Sequence, residues 1–121
     1  GHAICIEPRA DRIANIAANI DRFGLSDRMR AVQGAAPGAL AGLHAPDAIF
    51  VGGGADAGLI AALPPARLVI NAVTLETEAL LTALHAERGG RLMRLSIEEA
   101  APLGRMRGWT PARAVTQWSW P

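Results

Sequence analysis

Lysine is absent from the 121 residues, and all twelve basic side chains are arginine. Chemistry that needs a lysine amine, a Schiff base above all, is excluded. The single cysteine, Cys5, rules out an intramolecular disulfide and a cysteine-rich metal site. In its apolar run it reads as a small buried hydrophobe. His2, His44 and His85 are far apart and have no ligand spacing, so no metal is expected. No apolar run approaches the roughly 18 residues of a membrane span. The first residues carry neither a signal-peptide nor a transit-peptide pattern. There is no GxGxxG, no GKS or GKT after a glycine-rich turn, and no serine nucleophile motif. The net charge is only +1, with acids and bases interspersed, which leaves no basic face for nucleic acid. The expectation is a soluble cytoplasmic protein that uses neither membrane nor nucleic acid.

Half of the residues are hydrophobic, enough for one packed core in a chain of this length. The continuous apolar run Ala3-Ile4-Cys5-Ile6, stopped by Glu7-Pro8, reads as a buried parallel strand. Ile13, Ile16, Ala17 and Ile20 give helical spacing over residues 9–23, with Gly24 at the position of a C′ glycine. Further strands are predicted at residues 29–33, 47–51, 67–73, 92–97 and 114–120. Residues 56–63 can hold a short helix, stopped by Pro64-Pro65. Residues 74–88 form a long one, with Thr74 as N-cap and Leu80, Leu81 and Leu84 as its apolar stripe. Residues 34–42 are a small-residue loop with room for one helical turn, and residues 98–113 are predicted to be a loop. Strands alternating with helices imply a mostly parallel α/β sheet. The last two strands have no helix between them and should close one edge as an antiparallel pair.

Ligands of open α/β sheets bind outside the carboxyl ends of the strands, and this rule selects the loops that matter. Glu7 ends the first strand. Its carboxylate can accept two hydrogen bonds from a ribose diol, or it can serve as a helix N-terminal acid favoured by the macrodipole. Gly34, Ala35 and Ala36 follow the second strand, as a close approach for a flat ring or as an ordinary turn. Gly52, Gly53 and Gly54 follow a buried strand directly and discard side chains where the chain meets the cleft. Arg105 and Arg107 flank Met106 in a glycine-bounded segment ending at Trp109. Two guanidinium forks there can bind carboxylates bidentately while Trp109 covers a planar ring; a solvated hairpin loop is the other reading.

Together these segments resemble a known family. Ala3 to Pro8, the stretch Asn19-Ile20-Asp21-Arg22-Phe23-Gly24-Leu25 and Gly34-Ala35-Ala36-Pro37 are similar to the second strand, its helix and the third strand of class I, Rossmann-like methyltransferases. Asp47-Ala48-Ile49-Phe50-Val51-Gly52-Gly53-Gly54 and Asn71-Ala72-Val73-Thr74-Leu75-Glu76 are more specific. They resemble the decarboxylating precorrin-6Y 5,15-methyltransferases, as do Leu103-Gly104-Arg105-Met106-Arg107-Gly108-Trp109 and Gln117-Trp118, which look like the C-terminal domain of the fused bacterial form.

The resemblance implies S-adenosylmethionine as cofactor. It implies Glu7 on the ribose hydroxyls and residues 34–37 beside the adenine. The family often carries an acid at the position of Ala35; its absence leaves backbone groups of Ala35 and Ala36 for the adenine amine. It places Gly52, Gly53, Gly54, Asn71, Thr74, Arg105, Arg107 and Trp109 on the side of a precorrin, a polycarboxylate tetrapyrrole. It further implies an oligomer, commonly a tetramer, and fusion to an N-terminal methyltransferase domain. The family's first strand and glycine-rich motif would precede Gly1, so residues 1–121 are expected to be one N-terminally incomplete domain. No general acid or base can be named. Two other functions compete: a methyltransferase for another small molecule on the same scaffold, and a non-catalytic assembly remnant.

Overall fold

The computed structural model describes residues 1–121 in eight strands, three α-helices and one 3-10 turn. They divide into two units, Gly1–His44 and Ala45–Pro121.

In the first unit β1 (Ala3–Glu7) and β2 (Met29–Gln33) pair in parallel, from Ala3 opposite Met29 to Glu7 opposite Gln33. A parallel pair needs a crossover, and α1 (Ala10–Arg22) supplies it. Ile20 of α1 is buried, Ile13 and Ile16 are half-buried, and Ala17 of the expected stripe is exposed. The helix stops where Gly24 takes φ +63°. Gly24 N–H donates to Asp21 O at 3.0 Å and Leu25 N–H to Ile20 O at 2.9 Å, the paired bonds of a Schellman motif. The residues after β2 hold a single 3-10 turn, Gly38–Leu40. Cys5 is half-buried.

The second unit contains β3 (Ala48–Val51), α2 (Ala57–Ala62), β4 (Arg67–Ala72), α3 (Leu75–Arg88), β5 (Arg91–Leu95), β6 (Glu98–Leu103), β7 (Met106–Pro111) and β8 (Val115–Trp120). Its sheet has the order β3-β4-β8-β5. β3 and β4 are parallel, and β8 is antiparallel to both β4 and β5, so β5 runs in the direction of β4. The expected closing pair is therefore present, with β8 inside it and β5 outermost. Both α-helices start on side-chain caps: Asp56 Oδ1 accepts from Leu59 N–H at 2.7 Å, and Thr74 Oγ1 from Thr77 N–H at 3.3 Å.

The core lies in this unit, where Leu68, Ile70 and Ala72 of β4 and Trp118 of β8 meet Leu81 and Leu84 of α3. Trp118, Ile70 and Leu81 are fully enclosed. Burying an Ile or Leu side chain contributes about 1.5–3 kcal/mol each. The Trp118 indole N–H is satisfied by Gly89 O at 2.9 Å. Only a glycine fits at position 90, since a Cβ there would lie 2.5 Å from Ser119 O, and φ is +83°.

The predicted loop at residues 98–113 is a correction. β6 and β7 form an antiparallel hairpin with Leu103 opposite Met106 and a two-residue turn, Gly104-Arg105. Gly104 has φ +59°, which a two-residue hairpin turn needs at its first central position. No other element packs extensively on this arm. With both faces wet, it carries none of the apolar alternation by which a half-buried strand is recognised.

Candidate functional site

The first unit gathers Glu7, Gly34, Ala35 and Ala36 at the carboxyl ends of its two strands. Gly34 N–H donates to Glu7 O at 3.1 Å, which extends the β1–β2 ladder to its last rung. Glu7 is held from below: its Oε1 accepts from Arg9 N–H at 3.0 Å, and its Oε2 lies 3.5 Å from an Arg12 guanidinium nitrogen. Its side chain is 17% exposed. The helix-entry reading of Glu7 is thus visible, and a carboxylate held in this way keeps lone pairs on each oxygen. Gly34 is fixed by crowding, as a Cβ would come within 2.8 Å of the Ala39 Cβ. Ala35 and Ala36 are exposed. Arg12 was not found from sequence; its signal is only its place one turn into the helix that follows Glu7.

The second unit brings Gly52, Gly53, Gly54, Asn71 and Thr74 to the carboxyl ends of the adjacent strands β3 and β4. Gly54 has φ +70°, and next to it Ala55 is buried in the core. Asn71 Oδ1 accepts from Gln117 Nε2 at 2.9 Å across the β4–β8 pair. Thr74 uses its hydroxyl as the α3 cap and also donates to Thr77 Oγ1 at 3.2 Å.

Arg105, Arg107 and Trp109 lie on the arm. Arg107 and Trp109 are two apart on β7 and share one of its faces; Arg105 is in the turn. All three are exposed, Trp109 at 72%. The arm leaves the sheet from the carboxyl end of β5, the same end as the glycine loop of β3 and Thr74 after β4.

One cluster at that end was invisible in the sequence. Glu78, in the opening turns of α3, accepts from Thr116 Oγ1 at 2.6 Å and from the Arg94 guanidinium. Arg94 Nε also reaches Thr116 Oγ1 at 3.5 Å. Thr116 is buried. The hydrogen bonds from Thr116 and then Arg94 hold the Glu78 carboxyl below the ordinary glutamate value. One residue earlier, Thr77 Oγ1 donates to Ala55 O at 3.1 Å. No helix is long and apolar enough to cross a membrane.

A family model described as a precorrin methyltransferase domain matches residues 1–121. A precorrin-6Y C(5,15)-methyltransferase (decarboxylating) of Sinorhizobium sp is 48% identical over 124 residues, covering 98% of this chain and 30% of that protein. The protein of the same name from Mycobacterium tuberculosis is 41% identical over 97% of this chain and 31% of its own length. The chain therefore spans about a third of the curated relatives it matches. Among solved structures, the C-terminal domain of precorrin-6Y C5,15-methyltransferase from Rhodobacter capsulatus superposes with TM-score 0.93 at 60% identity, over 98% of this chain and 67% of that one.

Proposed function

The chain belongs to the precorrin methyltransferase domain family, and from that premise we propose that it serves the S-adenosylmethionine-dependent C-methylation of a precorrin, with decarboxylation of an acetate side chain, in cobalamin biosynthesis. The observation that carries this reading is the 48% identity over 98% of the chain to a protein named for that reaction. The two units are then parts of one cytoplasmic methyltransferase domain, fused in the full protein to an N-terminal methyltransferase domain. The exposed Ile97, Leu103, Met106 and Trp109 of the arm support a homo-oligomer, in our reading a tetramer. Trp118 is enclosed in its own core and adds nothing to that surface.

The residues present fit the cofactor. Glu7 has oxygens to spare for a ribose diol, and Ala35 and Ala36 leave exposed backbone for the adenine edge. Bound there, S-adenosylmethionine would supply an electrophilic methyl with a neutral thioether as leaving group; the bonding pair would come from the macrocycle at a meso carbon, and the charge would be discharged by loss of a proton to solvent. The chain's own work is alignment. Gly52, Gly53 and Gly54 present a wall without side chains, beside Asn71 and Thr74. Arg105 and Arg107 anchor substrate carboxylates, with Trp109 over the ring. Loss of carbon dioxide leaves an electron pair that takes up a proton from solvent.

The test uses the full-length protein. Calorimetry is expected to show S-adenosylmethionine binding that weakens by about 1–3 kcal/mol in Glu7→Gln, the range for a charged hydrogen bond. Replacing Arg105 and Arg107 by glutamine is expected to raise the KM for the precorrin about tenfold or more and to leave cofactor affinity intact. Light scattering measures the oligomer. Unchanged affinity in the first variant and an unchanged KM in the second would remove both groups from the site.

A further inference from the structure

The first turns of α3 hold residues that flank two segments the proposed function assigns to the substrate, the glycine loop and the arm. On one side Thr77 donates to Ala55 O at 3.1 Å, and Ala55 directly follows Gly52, Gly53 and Gly54. On the other side Glu78 receives Thr116 and Arg94. These two lie opposite each other in the β8–β5 ladder, and Thr116 also faces Ala72, the last residue of β4. Arg94 is one residue from the end of β5, where the chain departs into the arm, and Thr116 is near the start of β8, where it returns. The arm has no extensive packing of its own, so the direction it takes is set at this base. Asp, Glu, Ser or Thr in an ordinary first helical turn serves the backbone N–H groups of that helix. Thr77 and Glu78 instead spend their side chains on partners 22, 16 and 38 residues away.

We infer that Thr77 and Glu78 are positioning residues: the opening of α3 is a hub that fixes the glycine wall through Thr77 and the base of the arginine arm through Glu78 and its partners Thr116 and Arg94. This rests on the proposed function for its consequence in catalysis, though not for its consequence in motion. Neither side chain touches the reacting atoms. Each acts through a neighbour, and the two branches act on different parts of the reaction. The arm holds carboxylates remote from the reacting carbon, so loosening it weakens substrate capture. In the proposed function the glycine wall borders the reacting part of the substrate, so loosening it costs alignment.

In the full-length protein, Glu78→Gln is therefore expected to raise the KM for the precorrin about fivefold to tenfold, with kcat within about twofold, the size of one hydrogen bond acting through the arm. Thr77→Val should do the opposite, lowering kcat by a similar factor of about five to ten with KM near wild type. S-adenosylmethionine affinity should be unchanged in both. Thr116→Val, which removes one hydroxyl and keeps the shape, should repeat the Glu78→Gln pattern at smaller size and stands in for it if that variant folds poorly. Native-state hydrogen exchange supplies the readout that needs no substrate. Glu78→Gln should speed exchange in β6 and β7 and spare residues 52–55, and Thr77→Val should do the reverse. Variants that lower the melting temperature yet leave KM, kcat and both exchange patterns unchanged would overturn the hub. A wild-type protein that neither binds S-adenosylmethionine nor methylates a precorrin would overturn the proposed function instead, and the exchange patterns would still decide the hub.

Discussion

The two units of the chain are built on different principles. Gly1–His44 holds one parallel strand pair and one helix, and its only buried side chain is Ile20. Ala45–Pro121 holds a four-stranded sheet whose buried residues form one contiguous cluster around Trp118, Ile70 and Leu81. A two-stranded sheet is at best marginal by itself, and a 44-residue stretch falls near the size below which a single core rarely suffices. The first unit therefore has well-defined local geometry without a core of its own, and the second has both. The proposed cofactor residues sit on the former and the proposed substrate residues on the latter.

Core truncation should expose this contrast most strongly. Leu81→Ala removes a fully enclosed side chain facing β4 and should cost about 2–5 kcal/mol, depending on how far the cavity collapses. Ile16→Ala on α1 removes a half-buried one and should cost about half of that or less. Denaturant unfolding measures both. Equal losses would mean that the first unit is buried in the full protein as deeply as the second.

Glycine substitutions sharpen the comparison at a smaller scale. Gly24 and Gly90 both have positive φ, but a Cβ on Gly24 meets nothing within 4 Å, whereas one on Gly90 strikes Ser119 O at 2.5 Å and approaches the Trp118 indole nitrogen at 3.2 Å. Gly24→Ala should cost about 1–2 kcal/mol of backbone strain alone. Gly90→Ala adds overpacking of about 1–3 kcal/mol to the same strain. If the two variants melt alike, the close approach of residues 89–90 to β8 is not rigid.

What could be read from sequence follows the same division between local and distant causes. The caps at Thr74 and Gly24, the α3 stripe of Leu80, Leu81 and Leu84, and the carboxyl-end loops are set by neighbours in the chain, and the spacing of the residues displays them. Ala17 was misplaced because one helical stripe meets only two strands in its unit, which cover Ile13, Ile16 and Ile20 and no more. The arm escaped because Glu98-Glu99-Ala100-Ala101-Pro102 is poor in β-branched and aromatic residues, and only the glycine at 104 marks its turn. The Glu78–Thr116–Arg94 cluster escaped for a deeper reason. Its members lie on three elements, and they meet only because β8 inserts between β4 and β5. Nothing short of the sheet order brings them together. Glu7 stayed open between two uses because the structure lets it hold the helix entry and still offer its oxygens.

The smallest expected effect, on acid stability, separates the units again. Two carboxyls are held below their ordinary values. In the first unit Asp11 is lowered chiefly by its hydrogen bond from Arg9, two residues away, with both side chains more than half exposed. In the second Glu78 is lowered by Thr116 and then Arg94, on other strands. A lowered folded-state pKa means that the unfolded chain binds more protons between the two values, so each group favours folding above its ordinary value. That contribution is full above about 4.5 for Glu78, erodes as the pH falls through this value, and is gone below the depressed folded one. Asp11 follows the same sign from its ordinary 3.8. The Asp11 pair is local and wet, so salt screens it and much of it persists in the unfolded chain. Glu78 loses its partners entirely on unfolding. Glu78→Gln should therefore flatten the acid limb of the stability curve in low salt and in high salt alike, whereas Asp11→Asn should change it only slightly, and only in low salt. A Glu78→Gln curve parallel to wild type down to the lowest pH would show that the Glu78 charge contributes nothing to the α3–β5–β8 junction, and would leave the apolar cluster around Trp118, Ile70 and Leu81 to account for the firmer second unit.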